Sequence, residues 1–593
     1  MSNFLDEYAL ILSSCERPSR YIGDEFLSAN KDFNTANVKV AFVFPDKYEI
    51  GISNFGHKIL YHIVNSHPSY MADRAYAPDK DFLDLLKKYN KSLYGLESKV
   101  PLKSFDFLGF ALQYEMSYTT ILKMLEFSNV PVLSVERNDD DPIIFAGGPC
   151  AFNPAPMCDF IDLFLIGDGE EVVIEILDKY DKIKTKSRDN ILEELSKIQG
   201  VYCPKFPKKT TKRIFIPDKK SHPVKSPISH FVSVHDRATV EIRRGCGRLC
   251  RFCQSAHTNL PVRERNSDDI ISLACDYVKN TGYDEYSLLS LSSNDHTNIE
   301  QIIERLNEHF KGTGVNVSLP SQRADKFSIK LAQLMQQEKK STITIAPEAG
   351  SQRMRDVINK NLTQEQIINA VLSCVRSGWD KIKFYFIIGL PFEEDEDVLA
   401  IADLIKNINY NCKKEGLRLP SITCSISVFV PKPHTPFCWH GQNSIEEIER
   451  KKQLLLSRKP EIKNAKLNFH SPRVSQLEAF LTRGDKNVGK FIYELYKNGS
   501  YLDSWEENID FELYKQVAQK LNIDYAQEAT KTFDTNEDLP WDIIDCGLNK
   551  QWLINEYNLA KQAKNTIPCE VKCSNCGVCS NLKTHKIYDK TII

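Results

Sequence analysis

The first third of the chain alternates short apolar runs with stretches in which apolar residues recur at helical spacing. Helical spacing is found over residues 56–64 and 118–127, and a further helix opens near residue 170. The apolar runs, which predict buried strands, cover residues 38–44, 105–112, 143–145 and 162–166. Because strands that alternate with helices build parallel sheets covered on both faces, we predict a doubly wound, Rossmann-like α/β domain over residues 18–185.

A second alternating region begins near residue 236. Helical stretches such as 268–279 and 395–407 separate six apolar runs, which lie at residues 238–242, 286–291, 315–319, 342–345, 382–388 and 422–430. Six consecutive strand–helix units predict a partial (β/α)6 TIM barrel over residues 236–440. In such barrels the chemistry lies at the carboxyl ends of the strands, so we expect the functional side chains in the loops that follow them.

Two regions lack this alternation. Residues 186–235 are rich in Lys, Pro and Ser, and we interpret them as a connector that carries a short hairpin. Their basic run, residues 208–213, is typical of a solvated loop, with contact to a nucleic-acid backbone as the alternative. Residues 441–593 form a helical C-terminal region that ends in a cysteine cluster, and its candidate helices cover residues 445–456, 475–481, 488–498 and 510–521.

Composition indicates the cellular setting. The 593 residues are 42% hydrophobic and 26% charged, and the net charge of −2 does not call for a nucleic-acid or membrane partner. No apolar run reaches the ~18 residues of a membrane span, and the N-terminus does not have the basic and apolar segments of a secretory signal. Seventeen cysteines in such a chain indicate thiols and metal ligands rather than disulfides, so we expect a cytoplasmic protein.

Three cysteines form the most informative motif. Cys246, Cys250 and Cys253 follow the first barrel strand with the spacing C-x3-C-x2-C. Three thiolates leave one iron of a 4Fe–4S cluster without a protein ligand, and that iron can chelate S-adenosylmethionine (SAM) and deliver the electron that splits it. The alternatives are a chance cluster and a zinc site that lacks one ligand. The motif resembles the signature of radical SAM enzymes, in which an aromatic residue at the position of Phe252 packs near the adenine.

Other strand ends of the predicted barrel carry residues that suit SAM. Ser292 and Ser293 follow the second strand and offer hydroxyl groups to the SAM amino group, and residues 320–323 follow the third strand. Glu348 and Arg353 follow the fourth strand, where they suit the ribose hydroxyls and a bidentate pair with the SAM carboxylate. Gly389 follows the fifth strand and allows the backbone to approach the adenine. Each of these residues also suits a turn or a cap, and it is their recurrence at successive strand ends that indicates ligand contacts.

A second group of four cysteines lies near residue 570. Cys569, Cys573, Cys576 and Cys579 fall within eleven residues and supply enough thiolates to close a metal site. The tight spacing resembles ferredoxin-type loops more than separated zinc knuckles, so we favour an auxiliary iron–sulfur cluster. Structural zinc and a metal-free tail remain the alternatives.

The residues in the turn after the first strand have the spacing of a cofactor-binding motif. Asp46, Tyr48 and Gly51 occupy the places of Asp-x-His-x-x-Gly, which cobalamin domains often carry there and in which the histidine replaces the cofactor's own base. Glycine-rich strand ends of the same sheet suit a corrin tail or a nucleotide, although they occur in any doubly wound sheet. We keep cobalamin binding and its absence as equal hypotheses. Because Tyr48 stands in the histidine position, any bound cobalamin is expected to lack a histidine lower ligand.

Most of the chain resembles one family. Residues 45–54, 346–351, 430–437 and 576–579 are similar to segments of an uncharacterised bacterial family of radical SAM proteins with an N-terminal cobalamin-binding-like domain. This resemblance extends over about residues 18–580 and implies a cobalamin-binding-like Rossmann domain before the radical SAM core. The segments after the second and fourth barrel strands also resemble the tRNA and ribosomal-protein methylthiotransferases.

These observations lead to one leading hypothesis and one alternative. The leading hypothesis is an enzyme that reductively cleaves SAM to a 5′-deoxyadenosyl radical and modifies a translation-related macromolecule, RNA or a ribosomal protein, by methylation or methylthiolation. Such an enzyme needs a reductant such as flavodoxin or ferredoxin. The alternative is a SAM-binding iron–sulfur scaffold or sensor without turnover.

Overall fold

The computed structural model describes residues 2–320, 322–327, 329–335 and 342–589. Ser321, one of the strand-end residues named above, lies outside the described residues. The chain divides into two compact units. The first comprises Met1–Asp236, Gly484–Asp524 and Asp538–Asp545, and the second comprises Arg237–Arg483, Tyr525–Glu537 and Cys546–Ile593. None of the helices in the described part of the chain has the length and apolar content of a bilayer-spanning segment.

The first unit is built on a six-stranded sheet. Its strands are β1 (Val38–Phe44), β2 (Tyr70–Tyr76), β3 (Phe107–Ala111), β4 (Ile143–Gly147), β5 (Leu163–Leu165) and β6 (Val201–Tyr202). They are ordered β2-β1-β3-β4-β5-β6, and only the last pair is antiparallel. The helices of the unit are Ser2–Ser14, Tyr48–Gly51, Phe55–Ser66, Lys80–Lys88, Tyr118–Phe127, Glu170–Ile183, Arg188–Ser196, Lys486–Lys497 and Phe511–Leu521. The predicted α/β class is confirmed.

Apolar runs explain why these strands form the core. Val40 and Phe42 of β1 are buried in one hydrophobic cluster with Val173, Ile176 and Leu177 of the helix Glu170–Ile183. A strand covered on both faces carries apolar residues on both faces, and in β1 every residue except Lys39 is apolar and buried. The polar turns at its carboxyl end therefore lie at the edge of the sheet where ligands bind in doubly wound folds.

Strand β2 was not predicted, because its sequence contains two charged residues. Asp73 is fully buried, yet its carboxylate accepts hydrogen bonds from the backbone N–H groups of Glu97 at 2.7 Å and Ser98 at 2.9 Å. Arg74 donates from Nε to Glu97 Oε1 at 2.6 Å and from a terminal nitrogen to Glu25 Oε2 at 2.7 Å. Buried charges are tolerated when they are paired and hydrogen-bonded, and these partners are remote in sequence.

The predicted hairpin in residues 186–235 is wrong. These residues contain the helix Arg188–Ser196, strand β6 and a short strand β7 (Thr210–Thr211). Strand β6 joins the main sheet antiparallel to β5, whereas β7 pairs in parallel with Ile544–Asp545. Both short strands pair with segments that are distant in sequence. Local composition does not reveal such pairing.

The second unit contains the predicted barrel strands. Its strands are β8 (Ala238–Glu241), β9 (Arg243–Arg244), β10 (Arg263–Glu264), β11 (Glu285–Leu289), β12 (Asn316–Ser318), β13 (Ile343–Glu348), β14 (Lys381–Ile388), β15 (Ser421–Val428) and β16 (Ala465–Phe469). Among the described residues, the parallel strands pair in the orders β12-β11-β8 and β13-β14-β15-β16. All six predicted strands are present, and β16 adds a seventh.

Helices connect these strands as the helical spacing predicts. The connecting helices are Ser255–Thr258, Ser267–Thr281, Ile299–His309, Ile329–Leu334, Gln352–Val357, Gln364–Arg376, Asp395–Lys414 and Ile445–Ser457. Four more helices of the unit follow β16, at Pro472–Thr482, Tyr525–Thr530, Lys550–Lys561 and Val578–Asn581. The predicted domain limits 18–185, 186–235, 236–440 and 441–593 stay predictions. The compact units divide the chain differently, because residues 186–235 belong to the first unit and residues 441–593 are shared between both.

Candidate functional site

A single loop after β8 and β9 brings the first three cysteines together. Burial, together with the negative charges of Cys250 and Cys246, raises the pKa of the Cys253 thiol to about 12, so the three sulfur atoms lie within electrostatic range of one another. Gly245 has φ +79°, and a Cβ atom there would lie 2.6 Å from the carbonyl oxygen of Asn259. The tight turn that precedes the first cysteine therefore requires glycine.

The chemistry of these donors fits an iron–sulfur cluster. The neighbouring cysteines raise the pKa of Cys246 and of Cys253, because thiolates placed this close together repel one another, and iron relieves this repulsion by coordinating them. Among the described residues, no group of three or more His, Cys, Asp and Glu side chains is placed so that it could hold a single metal ion. In a cubane cluster each thiolate binds its own iron, so the ligands do not converge on one point.

Arg248, inside the cysteine loop, connects the loop to the next two strand ends. Its Nε donates to Asp295 Oδ2 at 2.9 Å, and its terminal nitrogen donates to Asp325 Oδ2 at 3.2 Å. Ser292 donates its hydroxyl proton to Asp295 at 2.6 Å. Burial alone raises the pKa of Asp295, but Arg248 and Ser292 stabilise the carboxylate and lower this pKa to about 2. The carboxylate therefore stays ionised and holds the loop at the carboxyl ends of the strands.

Asn359 holds the same cysteine loop by binding backbone carbonyl groups of that loop. The amide nitrogen of Asn359 donates to Leu249 O at 3.1 Å and to Arg248 O at 3.3 Å. Its amide oxygen accepts the backbone N–H of Thr566 at 2.8 Å. This buried side chain thus links the cysteine loop to the C-terminal segment of the second unit.

Arg251 is the second buried arginine of the loop. It is fully buried, and its Nε donates to Glu556 Oε2 at 3.0 Å. Its terminal nitrogens donate to the carbonyl groups of Val357 at 2.8 Å and Lys564 at 2.7 Å. Sequence reasoning missed Arg248, Arg251 and Asn359. Charged residues between cysteine ligands were a visible signal for the two arginines, whereas nothing local marks Asn359.

The two serines after β11 lie where the sequence placed them, but protein groups already bind their hydroxyls. Ser293 is fully buried and donates to Leu288 O at 2.9 Å. The hydroxyl of Ser292 is engaged by Asp295, as described above. The role of both serines at the SAM amino group stays a prediction.

Glu348 and Arg353 lie after β13 and are both paired with protein groups. Glu348 has φ +68°, a left-handed conformation that costs energy for a non-glycine residue, and it follows an irregularity in the strand. Its carboxylate lies 3.1 Å from the Lys360 amine. Arg353 contacts the Asp397 carboxylate and donates to Phe392 O at 2.9 Å. Their ribose and carboxylate contacts with SAM remain predictions.

Gly389 and Phe252 complete the predicted SAM residues. Gly389 has φ +76°, and a Cβ atom there would lie 2.5 Å from Ile448 Cδ1, so the end of β14 requires glycine. Its backbone N–H donates to Glu393 Oε2 at 2.7 Å. Phe252 is half-buried in the cysteine loop. The predicted SAM residues that the structure describes thus lie in the second unit, in the cysteine loop or at carboxyl ends of its strands, and their ligand contacts stay predictions.

The four C-terminal cysteines also share one loop. The pKa of Cys569 is raised to about 11, mainly by burial, with Lys586 lowering it and the charges of Cys576, Cys579 and Cys573 raising it. Their sulfur atoms are therefore electrostatic neighbours, and the donor set suits iron–sulfur or zinc. Cys573 is exposed, whereas Cys569 and Cys576 are buried.

This second cysteine loop lies against the first. The backbone N–H of Cys569 donates to Gly247 O at 2.7 Å, and a Cβ atom on Gly247 would lie 3.3 Å from Cys569 Cβ. Glu570 contacts the Arg243 guanidinium and lies 3.3 Å from Arg248 Nε. The residue after the first cluster ligand is thus in direct contact with the first cysteine of the second group.

The cobalamin-type turn of the first unit is engaged by protein groups. Tyr48 is buried, and its hydroxyl donates to Glu25 Oε1 at 2.9 Å. Burial and the Glu25 charge raise the pKa of this phenol. Asp46 accepts the Trp505 indole N–H at 2.8 Å, and a Cβ atom on Gly51 would lie 2.2 Å from the Tyr76 ring. These three residues do not fit the role of a lower cobalt ligand, because Tyr48 is a neutral, hydrogen-bonded phenol.

Comparisons with known proteins agree with this geometry. The family described as "Radical SAM proteins, N-terminal" matches residues 56–204, and the "Radical SAM superfamily" matches residues 240–405. An uncharacterized protein of Methanocaldococcus jannaschii is 28% identical over 463 residues, which cover 76% of this chain and 90% of that protein. The tRNA-2-methylthio-N(6)-dimethylallyladenosine synthase of Thermotoga petrophila is 25% identical over 242 residues. That match covers 39% of this chain and 52% of the synthase, so the chain spans about half the length of this relative.

A solved structure shares the fold. The radical S-adenosylmethionine methyltransferase TsrM from Kitasatospora setae, solved with cobalamin and a [4Fe-4S] cluster bound, superposes with a TM-score of 0.52 at 11% identity. The match covers 82% of this chain and 99% of that structure. The two matched families together span most of both sheet-containing regions, and the cysteine loop lies inside the second match. The chain therefore belongs to the radical SAM superfamily of enzymes.

Proposed function

We propose that this enzyme reductively cleaves SAM and uses the resulting 5′-deoxyadenosyl radical to modify a translation-related macromolecule in the cytoplasm. The observation that carries the proposal is the loop that brings Cys246, Cys250 and Cys253 together and is held by Arg248 at the strand ends. These three cysteines would hold a [4Fe–4S] cluster. When bound, such a cluster supplies an open iron for SAM and the electron that splits SAM into methionine and the radical.

The chain's own residues would bind and orient SAM. The end of β13 presents Glu348 in a strained conformation beside Lys360, and strain of this kind is common at ligand sites. Arg353 keeps part of its guanidinium exposed beside Asp397, so the SAM carboxylate would join an existing ion pair. Phe252 and Gly389 would contact the adenine. The buried Arg248–Asp295 pair would keep the cysteine loop in place during this binding.

The modification itself is methylation or methylthiolation. Methylation would use cobalamin from the first unit, in line with the fold shared with TsrM. Methylthiolation would use a cluster on the four C-terminal cysteines as the sulfur donor, in line with the tRNA-modifying relative. The contact between Cys569 and Gly247 supports a second metal centre beside the first and favours methylthiolation.

Anaerobic reconstitution tests the cleavage step. Wild-type protein supplied with iron, sulfide, SAM and dithionite should release 5′-deoxyadenosine, and Cys250→Ala should release none, because a cluster with two protein ligands is lost. Cys412→Ala removes a buried thiol from the helix Asp395–Lys414 and serves as the matched control with wild-type product. Wild-type protein that binds SAM but releases no 5′-deoxyadenosine would be a scaffold or sensor.

The substrate class needs a separate measurement. Mass spectrometry of RNA and ribosomal proteins from a deletion strain should reveal one modification that is lost and that returns with the wild-type gene but not with Cys250→Ala. A missing mass of one methyl group supports methylation, whereas a missing methylthio group supports methylthiolation. Unchanged RNA and ribosomal proteins would contradict a translation-related target.

A further inference from the structure

The C-terminal segment exposes an apolar pair that the proposed chemistry does not use. Val571 is 79% exposed and Ile567 is 50% exposed. The backbone N–H groups of Val571 and Lys572 donate to Pro568 O at 3.0 and 3.1 Å, so Val571 lies on a hydrogen-bonded turn that begins directly after Ile567. Single exposed apolar residues are ordinary, but two that flank one short turn indicate a contact surface.

The segment that carries this pair is rich in exposed lysines. Within residues 561–589 the exposed charged side chains are all cationic: Lys561, Lys564, Lys572 and Lys583. The two acidic residues of this range face inward, since Glu570 contacts Arg243, and Asp589 accepts from the Ser267 backbone at 2.8 Å. We call Ile567, Val571 and these four lysines the C-terminal patch. An exposed apolar pair within a cationic segment is complementary to an acidic protein surface.

The C-terminal patch is attached to the cysteine loop that would hold the SAM-binding cluster. Cys569 lies between Ile567 and Val571, and its N–H donates to Gly247 O at 2.7 Å, next to Cys246. Glu570, the following residue, contacts Arg243 and Arg248 of the same loop region. A partner on the C-terminal patch would therefore sit close to the place where reductive cleavage needs an electron.

We propose that the C-terminal patch is the docking surface for a small acidic one-electron carrier protein of the flavodoxin or ferredoxin class, an inference that rests on the proposed SAM cleavage. The carrier loses one electron and is oxidised. SAM takes up that electron, its C5′–S bond breaks, and methionine and the 5′-deoxyadenosyl radical form. Electron-transfer complexes have small interfaces, so a surface made of these six residues is large enough for such a partner.

The same lysines would also attract RNA, but the rest of the surface favours a protein. Single-stranded RNA is bound by aromatic side chains that stack on bases, and no Phe, Trp or Tyr side chain of residues 561–589 is exposed. An aliphatic pair such as Ile567 and Val571 gives no stacking surface. It does supply the apolar centre of a protein interface.

Two matched double variants test the docking surface. The first, Val571→Asp with Lys572→Glu, changes the C-terminal patch without touching a cysteine. The second, Tyr410→Asp with Lys413→Glu, makes the same kinds of change at an exposed apolar–lysine pair on the helix Asp395–Lys414, where Tyr410 is 65% exposed. Binding of oxidised flavodoxin is measured by titration calorimetry at two salt concentrations, and reduction is driven either by flavodoxin hydroquinone or by dithionite.

We expect the first double variant to bind flavodoxin roughly tenfold more weakly than wild type, and the second to bind it as wild type does. Wild-type affinity should fall as salt increases. With flavodoxin hydroquinone only the first variant should release less 5′-deoxyadenosine. With dithionite, a small reductant that needs no docking surface, both variants should match wild type in product and iron content.

Three results would overturn the docking surface: equal flavodoxin binding by both double variants, loss of the dithionite-driven reaction in the first variant alone, or tRNA binding to the patch without flavodoxin binding. Absence of 5′-deoxyadenosine from wild-type protein with dithionite would contradict the proposed cleavage instead. In that case the calorimetric comparison of the two variants still decides whether the C-terminal patch binds the carrier.

Discussion

Arg248 and Asp295 form a buried ion pair between the first cysteine loop and the end of β11. The Arg248 Nε donates to Asp295 Oδ2 at 2.9 Å, and the two side chains are 7% and 1% exposed. Removal of one partner from such a pair leaves an uncompensated buried charge, which is more costly than the loss of the contact itself. The pair therefore makes the position of the cysteine loop depend on one carboxylate.

Asp295→Asn should destabilise the apoprotein by about 3 kcal/mol at neutral pH. The matched control is Asp268→Asn, because Asp268 pairs with Arg305 at 2.7 Å on the exposed surface, where its side chain is 71% exposed. That change should cost less than about 1 kcal/mol. Urea unfolding of the apoproteins measures both, and equal costs would show that the buried pair does not hold the loop.

The cost of Asp295→Asn should also depend on pH. Arg248 lowers the folded-state pKa of Asp295 to about 2, against an ordinary value of 3.8. A lowered pKa stabilises the folded protein above the unfolded-state pKa, and the stabilisation is lost as the pH falls from about 4 towards 2. The difference in free energy of unfolding between wild type and Asp295→Asn should therefore shrink by about 2 kcal/mol over this range. A difference that stays constant from pH 5 to pH 2 would contradict the lowered pKa.

The parts of the fold that follow from local pattern were predictable. The apolar run at residues 38–44 coincides with Val38–Phe44, and the helical spacing over 118–127 coincides with Tyr118–Phe127. Strand β2 was missed because Asp73 and Arg74 interrupt its apolar pattern. Their partners Glu25 and Glu97 lie at distant positions in the chain. Burial of charges depends on tertiary partners, which a local window does not contain.

The candidate site, like the fold, was predictable only where the relevant residues are close in sequence. Cysteine spacing identified the first loop, because the ligands of an iron–sulfur cluster are close in sequence. The groups that hold this loop come from elsewhere, such as Asn359, Glu556 and Glu570. The expectation that ligands bind at the carboxyl ends of strands identified the region of Ser292 and Arg353. It did not reveal that both side chains are already paired with protein groups.

Arg251→Met should be more destabilising than Glu556→Gln, although the two residues form one buried pair. Glutamine keeps an acceptor for Arg251 Nε. Methionine removes the guanidinium that donates to the Glu556 carboxylate and to the buried carbonyl groups of Val357 and Lys564. Unsatisfied buried groups cost about 1–3 kcal/mol each, so we expect more than about 3 kcal/mol for Arg251→Met. Urea unfolding measures both variants, and a larger cost for Glu556→Gln would show that the carbonyl contacts contribute little.

The C-terminal cysteines should add a second metal centre. Reconstituted wild-type protein should contain about eight irons per chain if both cysteine loops hold cubane clusters, and a variant with Cys569, Cys573, Cys576 and Cys579 replaced by Ala should contain about four. Replacement of four buried thiols elsewhere, Cys374, Cys412, Cys424 and Cys203, by Ala gives a control that should keep all irons. Four irons with one zinc in wild type would assign structural zinc, and equal iron in wild type and the C-terminal variant would rule out the second cluster.

Cobalamin bound to the first unit should be base-off, without its own base on cobalt, and should carry no nitrogen ligand from the protein. Tyr48, at the position of the histidine ligand, is a phenol that donates to Glu25 at 2.9 Å, and burial raises its pKa, so it offers cobalt neither a nitrogen nor a phenolate. The EPR spectrum of protein reconstituted with cob(II)alamin should therefore show no nitrogen superhyperfine splitting, and Tyr48→Phe should leave that spectrum unchanged. Splitting in the wild-type spectrum would contradict this geometry. Cobalamin that is lost on gel filtration from both proteins would exclude cobalamin-dependent methylation and leave the first unit as a surface for substrate.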